Sequence, residues 1–235
     1  MRNYFTFAGH DSRDYGVYIS GHGTFDAPTR VYELISVPGR SGDLVGAERR
    51  LENIELTYPA FVYSDFNNKM AALRGMLLSQ IGYQRLEDTY HPDEFRKALY
   101  SGGLTVETNG RNDAGEFDIT FICKPQRYLK TGETAVTVAS GDSITNPTDF
   151  DSQPLIVVTG AGQLQIGQTT ITIASGFTSV TIDCEMMDCY SGTQSANDKV
   201  TFSGNNFPTL KPGSNGVVYG SGITNVTITP RWWRV

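Results

Sequence analysis

Residues 180–185 read Val-Thr-Ile-Asp-Cys-Glu, an alternation of apolar and polar side chains that is typical of a β-strand with one buried face. On such a strand Val180, Ile182 and Cys184 lie on the buried side. The same alternation recurs in three further stretches, 164–166, 171–173 and 226–228. Turn residues separate these stretches about every ten positions, which is the spacing expected of a sandwich. We therefore predict a β-sandwich over residues 131–235.

The first part of the chain also favours strands, separated by turn residues such as Gly21-His22-Gly23. Strands are predicted at 4–7, 17–20, 31–37, 52–63, 83–86, 95–100, 104–108 and 117–123. Segments 83–86 and 95–100 are expected to pair, with a short helix starting at 93–95 as the alternative. Asn109-Gly110 predicts a hairpin turn because both residues tolerate positive φ.

One helix is predicted between residues 65 and 81, where the apolar spacing changes to three and four. Its stripe consists of Met70, Leu73, Leu77 and Ile81, widened by Ala71, Ala72 and Leu78. We expect Ser64 or Asp65 to cap its first turn and Gly82 to end it in a left-handed conformation. Such a helix would cover the open face of a sheet. The predicted fold is therefore mainly β with one covering helix.

A fall in charge density marks a domain boundary near residue 130. Residues 1–130 carry 15 Lys and Arg with 17 Asp and Glu, whereas residues 131–235 carry 4 and 8. Pro125 is expected to end the last strand of the first domain, and 128–130 to form a connector. We predict two domains, 1–130 and 131–235.

The overall charge and hydropathy argue against two kinds of partner. A net charge of −6 is unlike that of a nucleic-acid binder, which normally carries a basic patch. No apolar run approaches the roughly 18 residues that a membrane span requires. The polar start, Arg2 and Asn3, is unlike a signal peptide, so signal-dependent export is not expected.

Three cysteines, Cys123, Cys184 and Cys189, are few and odd in number, which favours folding in a reduced compartment. Cys184 and Cys189 have a spacing that zinc sites use, but no pair of histidines accompanies them. We expect buried thiols and no metal site. No cofactor motif is present: the glycine-rich stretch 39–46 lacks the Gly-Lys-Ser/Thr ending of a phosphate-binding loop.

Asp183 and Glu185 are the one acid pair with a spacing suited to catalysis. Two positions apart on a strand, they would project from the same face about 7 Å apart, close to the separation in glycoside hydrolases. No neighbouring group is visible that would separate their pKa values. A solvated or calcium-contacting edge is the preferred interpretation, and a small glycosidase is the alternative.

Two other groups of residues stand out, one as a candidate structural turn of the first domain and one as a candidate interface or glycan-contact site. Pro38, Gly39, Arg40, Gly42 and Asp43 predict a tight corner shaped by glycine and held by Arg40 and Asp43. Near the end of the chain, Trp232 should be buried with Val226 and Ile228, which leaves Trp233 facing outward between Arg231 and Arg234. Trp and Arg are enriched in subunit interfaces, although an exposed Trp also stacks on sugars.

Several motifs follow one another in a characteristic order. Residues 35–44 read Ile-Ser-Val-Pro-Gly-Arg-Ser-Gly-Asp-Leu, and 117–125 read Phe-Asp-Ile-Thr-Phe-Ile-Cys-Lys-Pro. They are followed by Asn-Pro-Thr-Asp-Phe at 146–150, Ser-Gln-Pro-Leu-Ile-Val-Val at 152–158, the stretch 180–185, Phe-Pro-Thr-Leu-Lys-Pro-Gly-Ser-Asn at 207–215 and Thr-Ile-Thr-Pro-Arg-Trp-Trp at 227–233. This succession resembles the distal tail protein family of bacteriophages with long, non-contractile tails.

The resemblance implies a structural role at the tip of a phage tail. Residues 1–130 would form a homohexameric ring that continues the tail tube. Residues 131–235 would form a peripheral sandwich, similar in fold to galectins and carbohydrate-binding modules. The implied partners are the tail tube protein, a tail-associated or tail-fibre hub protein and, as a further option, a receptor-binding protein. The implied location is the virion, after assembly in the host cytoplasm, and no enzyme activity is implied.

A carbohydrate-binding module is the alternative function. In that case the sandwich would bind a glycan of the host cell wall, with Trp233 as the aromatic platform and Arg231 and Arg234 beside it. Loss of binding when Trp233 is replaced would distinguish this role from that of a structural hub.

Overall fold

The computed structural model describes residues 2–21, 26–46, 50–109, 111 and 113–235, and for Asn205 the backbone alone. The predicted turn at 21–23 and the Asn109-Gly110 pair lie partly outside the described residues. Twenty-two strands and one α-helix are described: β1 Phe5–Phe7, β2 His10–Asp11, β3 Val17–Ile19, β4 Glu33–Ile35, β5 Leu44–Gly46, β6 Ile54–Val62, α1 Phe66–Ser79, β7 Gln84–Asp88, β8 Glu94–Tyr100, β9 Val106–Thr108, β10 Gly115–Leu129, β11 Val136–Thr137, β12 Ser143–Asn146, β13 Leu155–Gly160, β14 Gly162–Ile166, β15 Thr169–Ile173, β16 Ser179–Asp183, β17 Asp188–Ser191, β18 Gln194–Ser195, β19 Val200–Phe202, β20 Gly213–Tyr219, β21 Ile223–Thr229 and β22 Trp233–Arg234. The predicted class, mainly β with one helix, is confirmed.

The chain divides into two compact units. Unit 1 contains the residues up to Arg127 together with Val235, and unit 2 is Tyr128–Arg234. This division concerns packing alone, so the ring-forming and peripheral roles predicted for 1–130 and 131–235 stay predictions. No helix among the described residues is long and apolar enough to cross a membrane.

Unit 1 is built on an antiparallel sheet with the strand order β2-β1-β7-β8-β10-β6-β3, and β9 pairs with the start of β10. Alternation along β6 buries every second residue from Ile54 to Val62, as the sequence predicts. The predicted pairing of 83–86 with 95–100 is also confirmed, since β7 pairs with β8 and residues 93–95 form no helix.

Strand β10 continues past the position where the sequence predicts its end. It runs through Pro125 to Leu129, and Lys130 begins a short 3-10 helix, so the prediction of a connector at 128–130 was wrong. The reason lies in the ladder with β6, whose last pair is Cys123 with Ile54. The missing N–H of Pro125 therefore removes no hydrogen bond from that ladder.

Helix α1 shares its core with the sheet of unit 1 through five buried side chains, Phe66, Met70, Leu73, Met76 and Leu77. The wider predicted stripe was wrong: Leu78 is 64% exposed, Ile81 is 89% exposed, and Ala71 and Ala72 are exposed. Leu78 lies about 100° around the helix from Leu77, and Ile81 follows the helix end.

The ends of α1 also differ from the prediction. Asp65 is left-handed, with φ of 53°, and its side chain caps no backbone N–H. Its Oδ1 instead accepts a hydrogen bond from Asn68 Nδ2 at 2.8 Å. The helix stops at Ser79, three positions before Gly82, which adopts the expected left-handed conformation at φ of 74°.

Unit 2 consists of two antiparallel sheets, with the orders β11-β21-β13-β16-β17-β18 and β12-β20-β14-β15-β19. Ile156 lies opposite Ile182 on one side and Ile228 on the other, and all three are fully buried. In the other sheet Leu164 lies opposite Ile171 in the hairpin of β14 and β15. The alternation at 180–185 thus predicted the core side correctly.

Two buried asparagines, Asn146 and Asn215, lie in the motifs at 146–150 and 207–215 and bind the backbone there. The side chain of Asn146 donates to the carbonyl of Leu210 at 3.0 Å and accepts the amide of Thr148 at 2.9 Å. The side chain of Asn215 accepts the amide of Lys211 at 2.8 Å and donates to its carbonyl at 2.8 Å. Buried backbone groups need such partners, so these amides hold irregular segments between strands.

Candidate functional site

Asp183 and Arg231 form the most buried ion pair of unit 2 among the described residues. Arg231 Nη1 lies 2.7 Å from Asp183 Oδ1, and Nη2 lies 3.0 Å from Oδ2, so the contact is bidentate. The side chain of Asp183 is only 10% exposed. Its Oδ1 also accepts the amides of Glu185 and Met186 at 3.0 and 3.1 Å. Asp183 therefore fixes the turn that follows β16.

This geometry corrects the prediction for the acid pair. Strand β16 ends at Asp183, so Glu185 lies in the turn and the two acids do not alternate on one exposed strand. Glu185 Oε2 lies 3.7 Å from Arg231 Nη1. The guanidinium thus neutralises two carboxylates that the sequence suggested were solvated or catalytic.

The charge state of Asp183 is unsuited to general acid catalysis. Burial alone would raise the pKa of its carboxyl group, but the hydrogen bonds from Arg231, with those from the two backbone amides, lower it overall. A glycosidase of the usual kind needs one carboxyl that stays protonated near neutral pH. Because Asp183 is held by the bidentate contact with Arg231 and by two backbone amides, its carboxylate stabilises the turn after β16.

Trp233 is engaged within unit 2. Its ring stacks on Phe150 with centroids 4.4 Å apart and planes 24° apart. Its Nε1 donates to the carbonyl of Asp151 at 2.9 Å. Trp232 is buried as predicted, whereas Trp233 is half-buried and lacks the free outward position that the alternation suggested.

The alternation fails here because the chain is not extended. After Pro230, Arg231 adopts a left-handed conformation with φ of 57°, which breaks the strand and turns its guanidinium toward Asp183. Arg234, in the short strand β22, is exposed. Of the three predicted residues, Arg231 and Trp233 thus serve the packing of unit 2, and Arg234 remains on its surface.

The predicted corner lies at the tip of the hairpin of β4 and β5. Gly39 and Gly42 have φ of 80° and 81°, a backbone conformation that residues other than glycine rarely adopt. The amide of Arg40 donates to the carbonyl of Val37 at 3.2 Å. Among the described residues no ion pair joins Arg40 to Asp43, so the backbone shapes this corner. The side chains of Pro38, Arg40 and Asp43 are exposed.

The cysteines are buried, and their surroundings disfavour the thiolate. Burial raises the pKa of Cys123 to about 12 and that of Cys189 to about 11, and it raises that of Cys184 further. In the part of the chain that the structure describes, no group of three or more His, Cys, Asp or Glu residues is placed to hold a metal ion.

Unit 1 contains a buried polar cluster that the sequence analysis missed. Glu94 and Arg96 are almost fully buried on the same face of β8. Arg127 Nε lies 2.7 Å from Glu94 Oε2. Nearby, the hydroxyl of Tyr58 donates to Asp88 Oδ2 at 2.6 Å. The sequence does contain a signal for this cluster. Glu94, Arg96 and Ala98 alternate along β8 and therefore lie on the same face of that strand.

These charges lie around a cavity of about 10 Å³, which His91 also lines. Burial, followed by the charge and hydrogen bond of Asp88, raises the pKa of Tyr58 well above its usual value. Asp88 Oδ1 accepts the amide of His91 at 2.8 Å. The cavity has room for about one water molecule, so the cluster is a structural network and not a ligand site.

The whole chain is similar in fold to a protein of known structure. No protein-family model matches the sequence, and no curated protein matches it. The chain is similar in structure to the Dit protein of phage SPP1, described as a paradigm of hub adsorption apparatus in phages that infect Gram-positive bacteria. The two share 14% identity and a TM-score of 0.79, with both chains covered in full.

A second relative is a chain of the phage p2 baseplate, solved in its activated conformation with Sr. The identity is 10% and the TM-score 0.54, over 99% of this chain and 98% of that chain. At these identities the likeness establishes a shared fold. It extends over both units and is not confined to the sandwich.

Proposed function

We propose that this protein is a structural hub component at the tip of a bacteriophage tail. The observation that carries the proposal is the end-to-end likeness to the SPP1 Dit protein, which includes unit 1 as well as unit 2. A sandwich fold alone occurs in proteins of many functions. The combination of both units in one order is a narrower feature, and the motif order at 35–44 and 146–233 agrees with it.

In this proposal unit 1 forms a closed ring of six copies that continues the tail tube. Unit 2 lies at the periphery and holds the tail-associated hub protein and, through it or directly, a receptor-binding protein. The protein is assembled in the host cytoplasm and remains in the virion. The neutralised acid pair supports this role over a glycosidase, because Asp183 and Arg231 together stabilise a turn.

The ring is tested by the solution mass of the purified chain, measured by light scattering over a range of concentrations. We expect a species of about 155 kDa, six times the 25.8 kDa chain. A chain that remains monomeric alone is then mixed with the cognate tail tube protein. Failure to assemble in both cases would contradict the proposed role.

A further inference from the structure

The turn between β16 and β17 exposes two methionines side by side. Met186 is 73% exposed and Met187 is 69% exposed, the highest values for large apolar residues in the described part of unit 2. We call residues 185–188 the methionine tip. Turns normally carry glycine and small polar residues, so this tip is unlike an ordinary solvent-exposed turn.

Met187 adopts a backbone conformation that is costly for methionine. Its φ is 53°, in the left-handed region. Two other hairpin turns of unit 2 use glycine in this conformation, with φ of 55° at Gly167 and 59° at Gly192. Among the described residues of unit 2, the other non-glycine residue with positive φ is Arg231, whose guanidinium holds the same turn through Asp183. Strained residues cluster at functional sites, so we looked for a function of this turn.

The methionine tip is held rigidly from both sides. Before the methionines, Asp183 Oδ1 accepts the amides of Glu185 and Met186. After them, Asn197 Nδ2 donates to Asp188 Oδ1 at 2.7 Å, and Asn197 Oδ1 accepts the amide of Cys189 at 2.8 Å. The backbone of the tip is therefore ordered before any partner binds, which lowers the entropic cost of binding.

Acidic side chains surround the two methionines. Glu185 and Asp188 flank them in the chain, and the side chain of Asp198, next to Asn197, is 72% exposed. Acids near the tip outnumber bases by four to two: Asp183, Glu185, Asp188 and Asp198 against Lys199 and Arg231. The tip is therefore an apolar centre within a rim of net negative charge.

The charge of this rim identifies the kind of partner. An anionic membrane attracts basic segments and would repel an acidic rim. A second copy of this chain is a poor match as well, because its net charge is −6. The complementary surface is an apolar pocket bordered by Lys or Arg on a different protein.

We infer that the methionine tip inserts into such a pocket on another protein of the phage tail. Methionine suits this contact because its unbranched, polarisable side chain adapts to the shape of a pocket. The inference rests on the proposed function, in which unit 2 holds other tail proteins, and it identifies the part of unit 2 that makes the contact.

The contact is tested by mild oxidation with hydrogen peroxide, which converts exposed methionines to sulfoxides. In the free chain Met186 and Met187 should be oxidised rapidly, whereas Met70 and Met76, which are 1% and 7% exposed, serve as slow internal references. In purified virions the oxidation of Met186 and Met187 should be at least tenfold slower than in the free chain. Mass spectrometry of the proteolysed samples measures each rate.

Four outcomes separate the inference from the proposed function. Virions that contain the chain and oxidise Met186 and Met187 as fast as the free chain would overturn the inference alone. Protection in the assembled chain without other proteins would assign the tip to a second copy, and protection by vesicles of phosphatidylglycerol and phosphatidylcholine would assign it to a membrane. Either result overturns the inference. Virions that lack the chain would overturn the proposed function together with the inference.

Variants introduced into the phage test whether the tip holds the partner. Met186→Gln with Met187→Gln replaces the apolar contact by polar side chains of similar length. Purified tails should keep this chain and lose another tail protein at least tenfold. The matched control is Val218→Thr, at a residue of β20 that is 54% exposed, and its tails should be complete. Equal composition of the tails from the double variant and the control would contradict the inference.

Two single variants separate binding from folding. Met187→Gly should not lower the melting temperature of the purified chain, because glycine adopts the left-handed conformation without strain, yet it should reduce the same tail protein in purified tails. Asp198→Lys should reduce that protein several-fold, because it reverses one charge of the rim. Full retention of the tail protein in both variants would contradict the inference.

Discussion

The two units stabilise similar β-structures with different side chains. Unit 1 buries a cluster of aromatic rings, in which Phe121 contacts Phe5, Phe7 and Tyr58, and it buries charges at Glu94 and Arg96. Unit 2 has a mostly aliphatic core cluster in which Trp232 is the one buried aromatic residue among those described, and it buries amides in place of most charges. Unit 1 thus buries two charged residues of one strand, whereas unit 2 buries two asparagines and a single carboxylate, Asp183, which Arg231 neutralises.

The surfaces differ in the same way. Most of the large exposed apolar residues of the described chain belong to unit 1, in the hairpin of β4 and β5 and in the segment from Leu78 to Tyr83. Unit 2 closes its core and keeps its few charges in turns and at strand ends, as at Asp183 and Asp188. Exposed apolar surface of this extent is typical of a site of interaction.

The largest effect is expected from breaking the buried ion pair of unit 1. Arg127→Met leaves Glu94 buried without this partner and should lower the free energy of unfolding of unit 1 by about 3–5 kcal/mol. Hydrogen exchange of the amides of α1 follows unit 1, whereas tryptophan fluorescence reports unit 2, since both tryptophans lie there. Only the first signal should shift. An equal shift of both signals would contradict the expectation that this ion pair stabilises unit 1 alone.

The matching change in unit 2 removes a buried amide. Asn215→Ala leaves the amide and carbonyl of Lys211 without their partner, and unpaired buried groups cost about 1–3 kcal/mol each. We expect a loss of about 3 kcal/mol in chemical denaturation followed by fluorescence. Asn225→Ala, at a residue whose side chain donates a hydrogen bond only to Thr227 among the described residues, is the control and should cost less than 1 kcal/mol.

Acid should weaken unit 2 through Asp183. Because the pKa of its carboxyl is lower in the folded chain, its contribution is fully present above the unfolded value of about 3.9 and is lost as the pH falls through the folded value. Asp183→Asn should cost about 2 kcal/mol at pH 7, the range for a hydrogen bond to a charged group. The variant should lose less further stability between pH 5 and pH 2, as seen by fluorescence. An unchanged pH dependence would show that Arg231 does not hold the carboxylate.

The smallest effect is expected at Trp233. Trp233→Leu keeps an apolar side chain but removes the stack on Phe150 and the hydrogen bond to Asp151, which together amount to about 1–2 kcal/mol. Thermal unfolding by fluorescence of Trp232 measures the change. If stability stays the same while binding to host cell-wall glycan disappears, Trp233 is a sugar platform and the structural account of this residue fails.

The alternation of apolar and polar residues predicted many of the strands, because the side from which a side chain projects depends only on its position along the strand. The buried faces at 54–62 and 180–184 follow from the period of two. It failed where the partner decides the conformation: Arg231 is left-handed and pairs with Asp183, 48 positions earlier. The buried charges of β8 were missed for the same reason, since the ion-pair partner of Glu94 is Arg127, which lies on another strand far along the chain.

The hairpin of β4 and β5 shows a second limit of predicting structure from the sequence. A full strand was predicted at 31–37, yet β4 covers only Glu33–Ile35. Its apolar residues at 34 and 35 fit a buried strand by composition, but the structure leaves both exposed. Composition indicates that an apolar side chain is usually buried, but it does not indicate whether the same chain or another molecule buries it.

The central claim is that unit 1 builds a ring and unit 2 surrounds it. Electron cryomicroscopy of the purified chain, at the concentration where light scattering shows assembly, tests it directly. The proposal predicts six-fold particles with an open channel surrounded by unit 1 and with unit 2 at the periphery. Particles with unit 2 at the channel, or with a symmetry that leaves no channel, would contradict it.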